Sequence, residues 1–472
     1  MAFDPRLNAA VAAGRLTAVA IRRLGRGGGT TLPGRVGQRV DRHLLDKLSA
    51  RLGGGTVLVS GTNGKTTTAG LVRHLLEAAG LPVVGNRAGA NLDWGLSSAL
   101  IGARRDVDLS RAVGVFEVDE GTLPLVAARL APRLVVVTNL FRDQLDRYGE
   151  LEASATAISA ALASLPAGAT ALLCADDPAV AALGGGLRAR VLHYGLEAPG
   201  LGEPGLPHAA DARFCPRCGE PFEFGRVYVG HLGEYRCPRG DFERPALDFT
   251  ARDVRFQGLD GQRLTLAAGP GQGDARKLVS TLDLDIPLSG LYNTYNVVAA
   301  AASALLLGVP PATVASAARG FQPAFGRLER IEAEGRTLRV LLAKNPAGFN
   351  EVLRASRLLG GGRHFLLSLN DRLADGRDVS WIWDVDFELL RDAERVVISG
   401  DRAADLAVRL EYAGLPAGRV TAGETQAAAI DAAIAATPVG GELCVLPTYT
   451  AMLDIRAELA RRGLIRQFWE EA

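Results

Sequence analysis

Val57-Leu58-Val59-Ser60-Gly61-Thr62-Asn63-Gly64-Lys65-Thr66-Thr67-Thr68 runs from an apolar strand, through a glycine-containing turn, into a helix that begins near Lys65. Such a turn aims backbone N–H groups, a helix N-terminus and one ammonium at a common point, which suits a polyphosphate. The hydroxyl of Thr66, directly after the lysine, is placed for Mg²⁺. The general phosphate loop has a glycine five residues before its Gly-Lys pair. Here Val59 stands there, so the loop is a shortened form. Gly-Lys-Thr alone recurs by chance; the flanking strand and helix patterns and the threonine run give it weight. The competing reading is a plain strand-to-helix turn with an exposed lysine.

A chain of 472 residues should hold two or three domains. Hydrophobic residues at 48% and charged residues at 22% give the balance of a globular protein. Lys+Arg is 53 against Asp+Glu 52, so no global field favours nucleic acid. Lys47, Lys65, Lys277 and Lys344 are the only lysines. Where any cation will serve, this chain uses arginine, so a surviving lysine draws attention to its compact, mobile ammonium. Apolar runs such as Val297 to Val309 are too short to span a bilayer. Arg15 and Arg22-Arg23 interrupt and follow the apolar residues at the N-terminus, the reverse of a signal peptide. Leu7 to Leu24 is expected to form an Arg-bearing amphipathic helix, packed on the domain in preference to touching a membrane. Five cysteines, three of them clustered, do not read as a disulfide framework, and the expected compartment is the cytoplasm.

From Thr56 to about Gly195, strands at Val113–Val118, Leu134–Thr138 and Ala171–Cys174 alternate with helices at Leu123–Leu130 and Ser154–Leu165. This is the rhythm of parallel βαβ units. Residues 200–245, rich in Gly, Pro, Cys and aromatics, break it and read as an inserted module. Strands resume at Asp253–Phe256 and Arg263–Leu266, followed by a long helix, Tyr292 to Leu307. A second α/β rhythm begins near Arg336, with strands at Leu338–Leu342, His364–Leu369, Arg395–Ser399 and Leu443–Leu446, and implies a separate open parallel sheet. The expected organisation is a helical lead-in over 1–55, a nucleotide-binding domain over 56–325 with an insert at about 205–245, and a Rossmann-like α/β domain over 326–472.

Glu117 and Asp119-Glu120 follow a strand, where open α/β sheets bind ligands. They serve Mg²⁺ or form a solvated acidic turn. Asn293 and Asn296, at i and i+3, share one face of a helix start and are candidates for contacts to a base or phosphate. Arg327, at the domain boundary, is a candidate to reach across a cleft onto a phosphate. Cys215-Pro216-Arg217-Cys218-Gly219 is a metal knuckle. Its second half, Tyr235 to Asp241, carries only Cys237, with His231 or Asp241 as candidate fourth ligand. The alternative is a metal-free ribbon held by Phe214, Phe222, Phe224, Tyr228 and Tyr235.

Gly61-Thr62-Asn63-Gly64-Lys65-Thr66, Glu117, Asn139-x(3)-Asp143-x-Leu145-Asp146-x-x-Gly149, Asp176-Asp177-Pro178, Asn293-x-x-Asn296 and Gly326-Arg327-x-Glu329 occur in an order that resembles the Mur ligases. Those enzymes activate a carboxylate as an acyl phosphate with ATP and let an amine displace phosphate. The resemblance covers about Thr56 to the end, without the usual N-terminal substrate domain. Three departures narrow it. Gln144 replaces a histidine, no lysine lies between Tyr148 and Ala175 to be carbamylated, and Asp-Tyr-Ala-His-Asn-Pro becomes Leu341-Leu342-Ala343-Lys344-Asn345-Pro346. With the Cys-rich insert, these look like the MurT family of ligase-like subunits of lipid II isoglutaminyl synthase.

The resemblance implies an α/β Mur ligase-type P-loop central domain with an inserted zinc-ribbon-like module, followed by a Rossmann-like C-terminal domain. It implies ATP held by Gly61, Thr62, Asn63, Gly64, Lys65, Thr66, Thr67, Glu117, Asn293, Asn296 and Arg327. Mg²⁺ would sit at Thr66 and Glu117, and Zn²⁺ at Cys215, Cys218, Cys237 and His231, where relatives carry four cysteines. The implied reaction is amidation of D-Glu in the lipid II stem peptide, with ammonia from a glutaminase subunit, GatD, at the inner face of the cell membrane. Asp378 corresponds to the aspartate proposed to complete the partner's Cys–His pair; by itself it reads as a turn residue. Lys344 contacts a phosphate or acyl phosphate, or forms a salt bridge between domains. The alternative enzyme is a Mur- or folylpolyglutamate-type ligase adding an amino acid. From another class, a nucleic-acid-binding ribbon protein is disfavoured by the neutral charge and intact loop.

Overall fold

Val57, Leu58 and Val59 are fully buried, as a strand covered on both faces requires. The computed structural model describes residues 4–23, 31–86, 89–103, 107–142, 151–207, 210–271, 275–322, 327–358 and 363–465. In chain order they supply β1 (Thr56–Ser60), β2 (Val83–Gly85), β3 (Val113–Glu117), β4 (Leu134–Val137), β5 (Thr170–Cys174) and β6 (Arg190–Leu196). A hairpin of β7 (Glu223–Val229) and β8 (Leu232–Arg236) follows, then β9 (Phe249–Phe256), β10 (Gln262–Ala268) and β11 (Thr281–Ile286). Among the described residues the first sheet has nine strands, ordered β11-β10-β9-β6-β5-β4-β1-β3-β2. β1 pairs in parallel with β3 on one side and β4 on the other. The chain therefore winds first to one side of β1 and then to the other, which opens a crevice at the C-terminal end of β1.

The second sheet comprises β12 (Arg327–Ala333), β13 (Arg336–Leu341), β14 (His364–Ser368), β15 (Arg395–Ser399), β16 (Val420–Ala422) and β17 (Glu442–Pro447). Its order is β12-β13-β17-β14-β15-β16. Among the described residues only β12 runs antiparallel to its neighbour, so the expected parallel sheet carries a hairpin at one edge. The two sheets have separate hydrophobic cores.

The helix expected from Tyr292 to Leu307 is observed at Leu291–Leu306 after β11, and the helix Pro346–Leu358 follows β13. The expected N-terminal helix is Pro5–Arg23, and Leu7 and Ala10 join the first core. Sequence reading missed the helices Leu32–Val40 and Asp93–Gly102. The first contains Gly34 and Gly37, which look like turn residues in sequence although the helix runs through both. Their function is close packing: a Cβ on Gly34 would sit 2.0 Å from the Trp94 carbonyl oxygen. No helix among the described residues is long and apolar enough to cross a membrane.

Candidate functional site

The phosphate-type loop sits at the crevice beside β1. Gly61 and Gly64 have φ of 117° and 86°, a region costly for other residues. A Cβ on Gly64 would also lie 2.1 Å from Asn296 Oδ1. The segment after β4 holds the loop from below. Thr62 N–H donates to Asn139 O at 2.8 Å, Asn63 N–H to Asn139 Oδ1 at 2.9 Å, and Thr138 Oγ1 to Asn63 O at 2.8 Å. These bonds preorganise the turn before any ligand arrives.

Lys65 is buried. Its Nζ donates to Gly61 O at 2.5 Å, Thr62 O at 3.1 Å and Glu120 Oε1 at 2.6 Å. The ammonium thus lies folded onto its own loop, held by carbonyls and a carboxylate that an incoming phosphate would have to replace. Thr66 Oγ1 donates to Glu117 Oε2 at 2.8 Å. A hydroxyl and a carboxylate in this juxtaposition, both oxygen donors beside a phosphate loop, fit a hard divalent cation. Asn86 fixes Glu117 through its backbone, accepting from Glu117 N–H at 2.9 Å and donating to Glu117 O at 2.8 Å.

A cleft of about 330 Å³ opens above these groups. The first sheet contributes the loop, Glu117, Asn293 and Asn296; the second contributes Lys344, Glu351 and Tyr449. Asn293 and Asn296 brace the loop as well as lining the cleft. Asn296 Oδ1 accepts from Thr68 Oγ1 at 3.3 Å, its Nδ2 donates to Asn293 Oδ1 at 3.0 Å, and Asn293 donates to Ser289 O at 2.7 Å. Across the cleft Asn345 Nδ2 donates to Asn63 Oδ1 at 3.0 Å. The ion pairs Arg142–Asp384 at 3.2 Å and Arg339–Asp260 at 2.6 Å also join the sheets.

Lys344 is half-buried in the cleft wall. Arg327 lies opposite Leu341 in the β12–β13 register, and its side chain is outside the described residues. Gln144 and the rest of 143–150 are also outside them. Asp378 is away from the cleft lining, on an exposed loop of the second domain. Its Oδ1 accepts from Ser380 N–H at 2.8 Å, and the Ser380 bonds hold its carboxyl below the ordinary carboxylate value.

In the insert, the sulfurs of Cys215, Cys218 and Cys237 lie within 4.8 Å of one another, with Cys218 and Cys237 at 3.4 Å. Backbone N–H groups of Arg239 and Asp241 point at the Cys237 sulfur, and that of Glu220 at Cys218. The Asp241 side chain also reaches Cys218. His231 is not in this cluster, which corrects its reading as a ligand. It sits in the β7–β8 turn, fully buried, with Nε2 3.4 Å from Asp177 Oδ2 and its ring 4.4 Å from that of Phe141. The whole of β8 separates it from Cys237, roughly 16 Å of extended chain. Phe222 and Tyr235 pack with Cys215 and Cys237 in a small core of their own, whereas Phe214 is exposed.

Residues 59–203 match the Mur ligase middle domain, and residues 342–452 match the MurT ligase C-terminal family. The lipid II isoglutaminyl synthase (glutamine-hydrolyzing) subunit MurT of Staphylococcus aureus (strain COL) is 33% identical over 389 residues, covering 82% of this chain and 83% of that protein. The protein of the same name from Streptococcus pneumoniae (strain ATCC BAA-255 / R6) is 30% identical over 462 residues, covering 96% and 97%. A pseudomurein peptide ligase type C from Methanothermus fervidus has the same fold, with a TM-score of 0.63 at 21% identity over 87% of this chain and 79% of that one.

Sequence reading did not find Glu351. It lies one helical turn beyond Ala347 on Pro346–Leu358, and nothing in its local pattern signals burial. Burial pushes its carboxyl up to about 7, Arg354 at 3.4 Å opposes this, and Glu203 and Asp386 add to it. Between its ordinary 4.5 and 7 the folded chain keeps a proton that the unfolded chain has released. Stability should therefore fall as pH rises through that window, by about 3 kcal/mol in total. Glu351→Gln is expected to flatten the dependence, so that the variant outlasts the parent at pH 8 and matches it near pH 4. Denaturant midpoints across a pH series measure this; parallel curves for the two proteins would contradict it.

Proposed function

The chain belongs to the MurT family, and from that membership we propose that it is the ATP-consuming subunit of a glutamine-dependent lipid II amidating enzyme. Its substrate is the α-carboxylate of D-glutamate in the lipid II stem peptide. The observation that carries the reading is the cleft itself, with Lys65 and the Thr66–Glu117 pair on one wall and Lys344 on the other.

A carboxylate oxygen attacks the γ-phosphorus of ATP, and the bond to the ADP oxygen breaks. Lys65 leaves Glu120 and the loop carbonyls to follow the charge on the transferring phosphoryl. Magnesium held by Thr66 and Glu117 would neutralise charge on the nucleotide phosphates. Lys344 stabilises the acyl phosphate from the opposite wall. Ammonia then attacks the acyl carbon, a proton leaves the nitrogen, and phosphate departs to give D-isoglutamine. Ammonia needs no wide acceptor pocket, which accords with the absence of any lysine between Tyr148 and Ala175.

The ammonia source in this reading is a GatD-type glutaminase subunit, and the setting is the cytoplasmic face of the membrane that carries lipid II. Asp378, exposed and away from the cleft, completes the partner's Cys–His pair by fixing the imidazole tautomer and stabilising imidazolium. The domain limits are 1–55, 56–325 and 326–472. Cys215, Cys218 and Cys237 hold a structural zinc that clamps the knuckle to the hairpin, and the Asp241 carboxylate beside Cys218 is the candidate for the fourth position.

Lys65→Ala should abolish amidation while the partner still hydrolyses glutamine; full amidation by this variant would remove the loop's assigned role. Asp378→Asn should cripple glutamine hydrolysis yet spare amidation supplied with ammonium salts, and normal glutaminase activity would refute the shared triad. Metal analysis of the purified chain should find one zinc, lost in Cys237→Ser and weakened in Asp241→Ala. A chain free of zinc when purified without chelator would leave the aromatic core as the ribbon's only staple.

A further inference from the structure

From Pro5 to Val40 the sequence carries seven arginines and no aspartate or glutamate, although the chain as a whole balances 53 basic against 52 acidic residues. This asymmetry coincides with exposed apolar side chains. The helix Pro5–Arg23 buries Leu7, Ala10 and Gly14 and leaves Leu16 71% and Val19 38% exposed. On Leu32–Val40 the exposed residues are Leu32, at 46%, with Arg35 and Arg39 at i+3 and i+7. Trp94 is 37% exposed, and the Arg35 guanidinium lies 5.1 Å from the centre of its ring.

The two helices cross antiparallel. A Cβ on Gly14 would lie 3.0 Å from Pro33 O, and one on Gly37 would lie 3.3 Å from Ala10 O. Val19 and Leu32 therefore belong to the same end of the pair. Nearby acids are engaged elsewhere. Asp4 and Asp41 pair with Lys47 at 2.8 and 2.7 Å, and Asp46 and Asp93 pair with Arg129 at 2.6 and 3.8 Å.

We propose that this helical lead-in docks on an anionic phospholipid surface, with Leu16, Leu32 and Trp94 entering the headgroup boundary and Arg35 and Arg39 meeting lipid phosphates. Such a surface combines a modest apolar area with fixed positive charge, and neither suffices alone. The inference rests on the amidation reading in one respect: a lipid-anchored substrate is what gives the surface its use. Docking holds the cleft near the bilayer where that substrate resides.

Co-sedimentation of the full chain, in complex with its glutaminase subunit, tests this with two vesicle types: pure phosphatidylcholine, and phosphatidylcholine mixed with phosphatidylglycerol. Binding should require phosphatidylglycerol and weaken with salt. Arg35→Glu/Arg39→Glu should lose at least about 25-fold, at about fivefold per arginine. Leu16→Glu/Leu32→Glu should also lose binding, with unchanged thermal unfolding because the side chains are exposed. Amidation of vesicle-embedded lipid II should fall in both variants, and amidation of a water-soluble analogue should not. Equal binding to both vesicle types, no binding to either, or variants that bind like the parent would overturn the proposal. So would arginine-dependent binding of single-stranded DNA in place of vesicles, which would assign the surface to nucleic acid. If the parent fails on the soluble analogue, the amidation reading falls, while the vesicle measurement still decides the surface.

Discussion

Two adjacent carboxylates with no solvent exposure, Asp176 and Asp177, tie the parts of this protein together. Asp176 accepts from Arg244 Nε at 2.7 Å, Tyr295 OH at 2.6 Å and Leu196 N–H at 3.0 Å. Those partners come from the base of the ribbon, the helix Leu291–Leu306 and the end of β6. Asp177 caps the short helix Pro178–Ala182 through Ala179 and Val180 N–H, and accepts from Leu140 N–H at 2.7 Å. Burial pushes the Asp176 carboxyl up, and Arg244 opposes that push. A buried charge is tolerable only when its bonds are met this fully. The arrangement therefore fixes the relative placement of every element it touches.

The nucleotide loop inherits its rigidity from this node. Leu140 follows Asn139, whose backbone and side chain hold Thr62 and Asn63. Tyr295 stands next to Asn296, which blocks any side chain at position 64. The turn is thus pinned from the β4 side and from the helix side, while the Lys65 ammonium and the Thr66 hydroxyl are each held by a carboxylate. Their partners, Glu120 and Glu117, are carboxylates within the cleft. That is a sensible resting arrangement: each polar group is satisfied in the absence of phosphate, so no unpaired buried charge strains the loop.

What the sequence disclosed follows from range. The β1 turn, the second-sheet strands and the helix Leu291–Leu306 are local patterns, legible to within a residue or two, whereas β9 begins four residues before the expected Asp253. The helix Leu32–Val40 was missed because a glycine that permits close helix packing, as Gly34 and Gly37 do, looks the same in sequence as one that ends a helix. His231 was misassigned for a similar reason. In sequence it lies six residues before Cys237, a plausible ligand spacing, but an extended β8 carries the two apart and delivers the imidazole to Asp177. Glu351 gave no signal at all, because its environment is made by residues from 203 to 386 that meet only in the folded chain. Asp176-Asp177-Pro178 was legible as part of a family pattern, but its role as the central bracket was not.

The ribbon insert links these levels. Its hairpin turn places His231 against Asp177 and sets Gly230 N–H on the Glu351 carboxyl of the second domain. Arg142, just beyond the loop-bracing segment, pairs both with Asp211 at the start of the insert and with Asp384 of the second domain. The insert therefore contacts both walls of the cleft, near the residues that hold the phosphate loop. Rigidity at its three-cysteine end is transmitted along a two-stranded hairpin, which alone would be marginal in water. The small core of Cys215, Cys237, Phe222 and Tyr235 at the distal end supports the hairpin whose turn touches both domains, which gives a knuckle far from the chemistry a physical reason to be there.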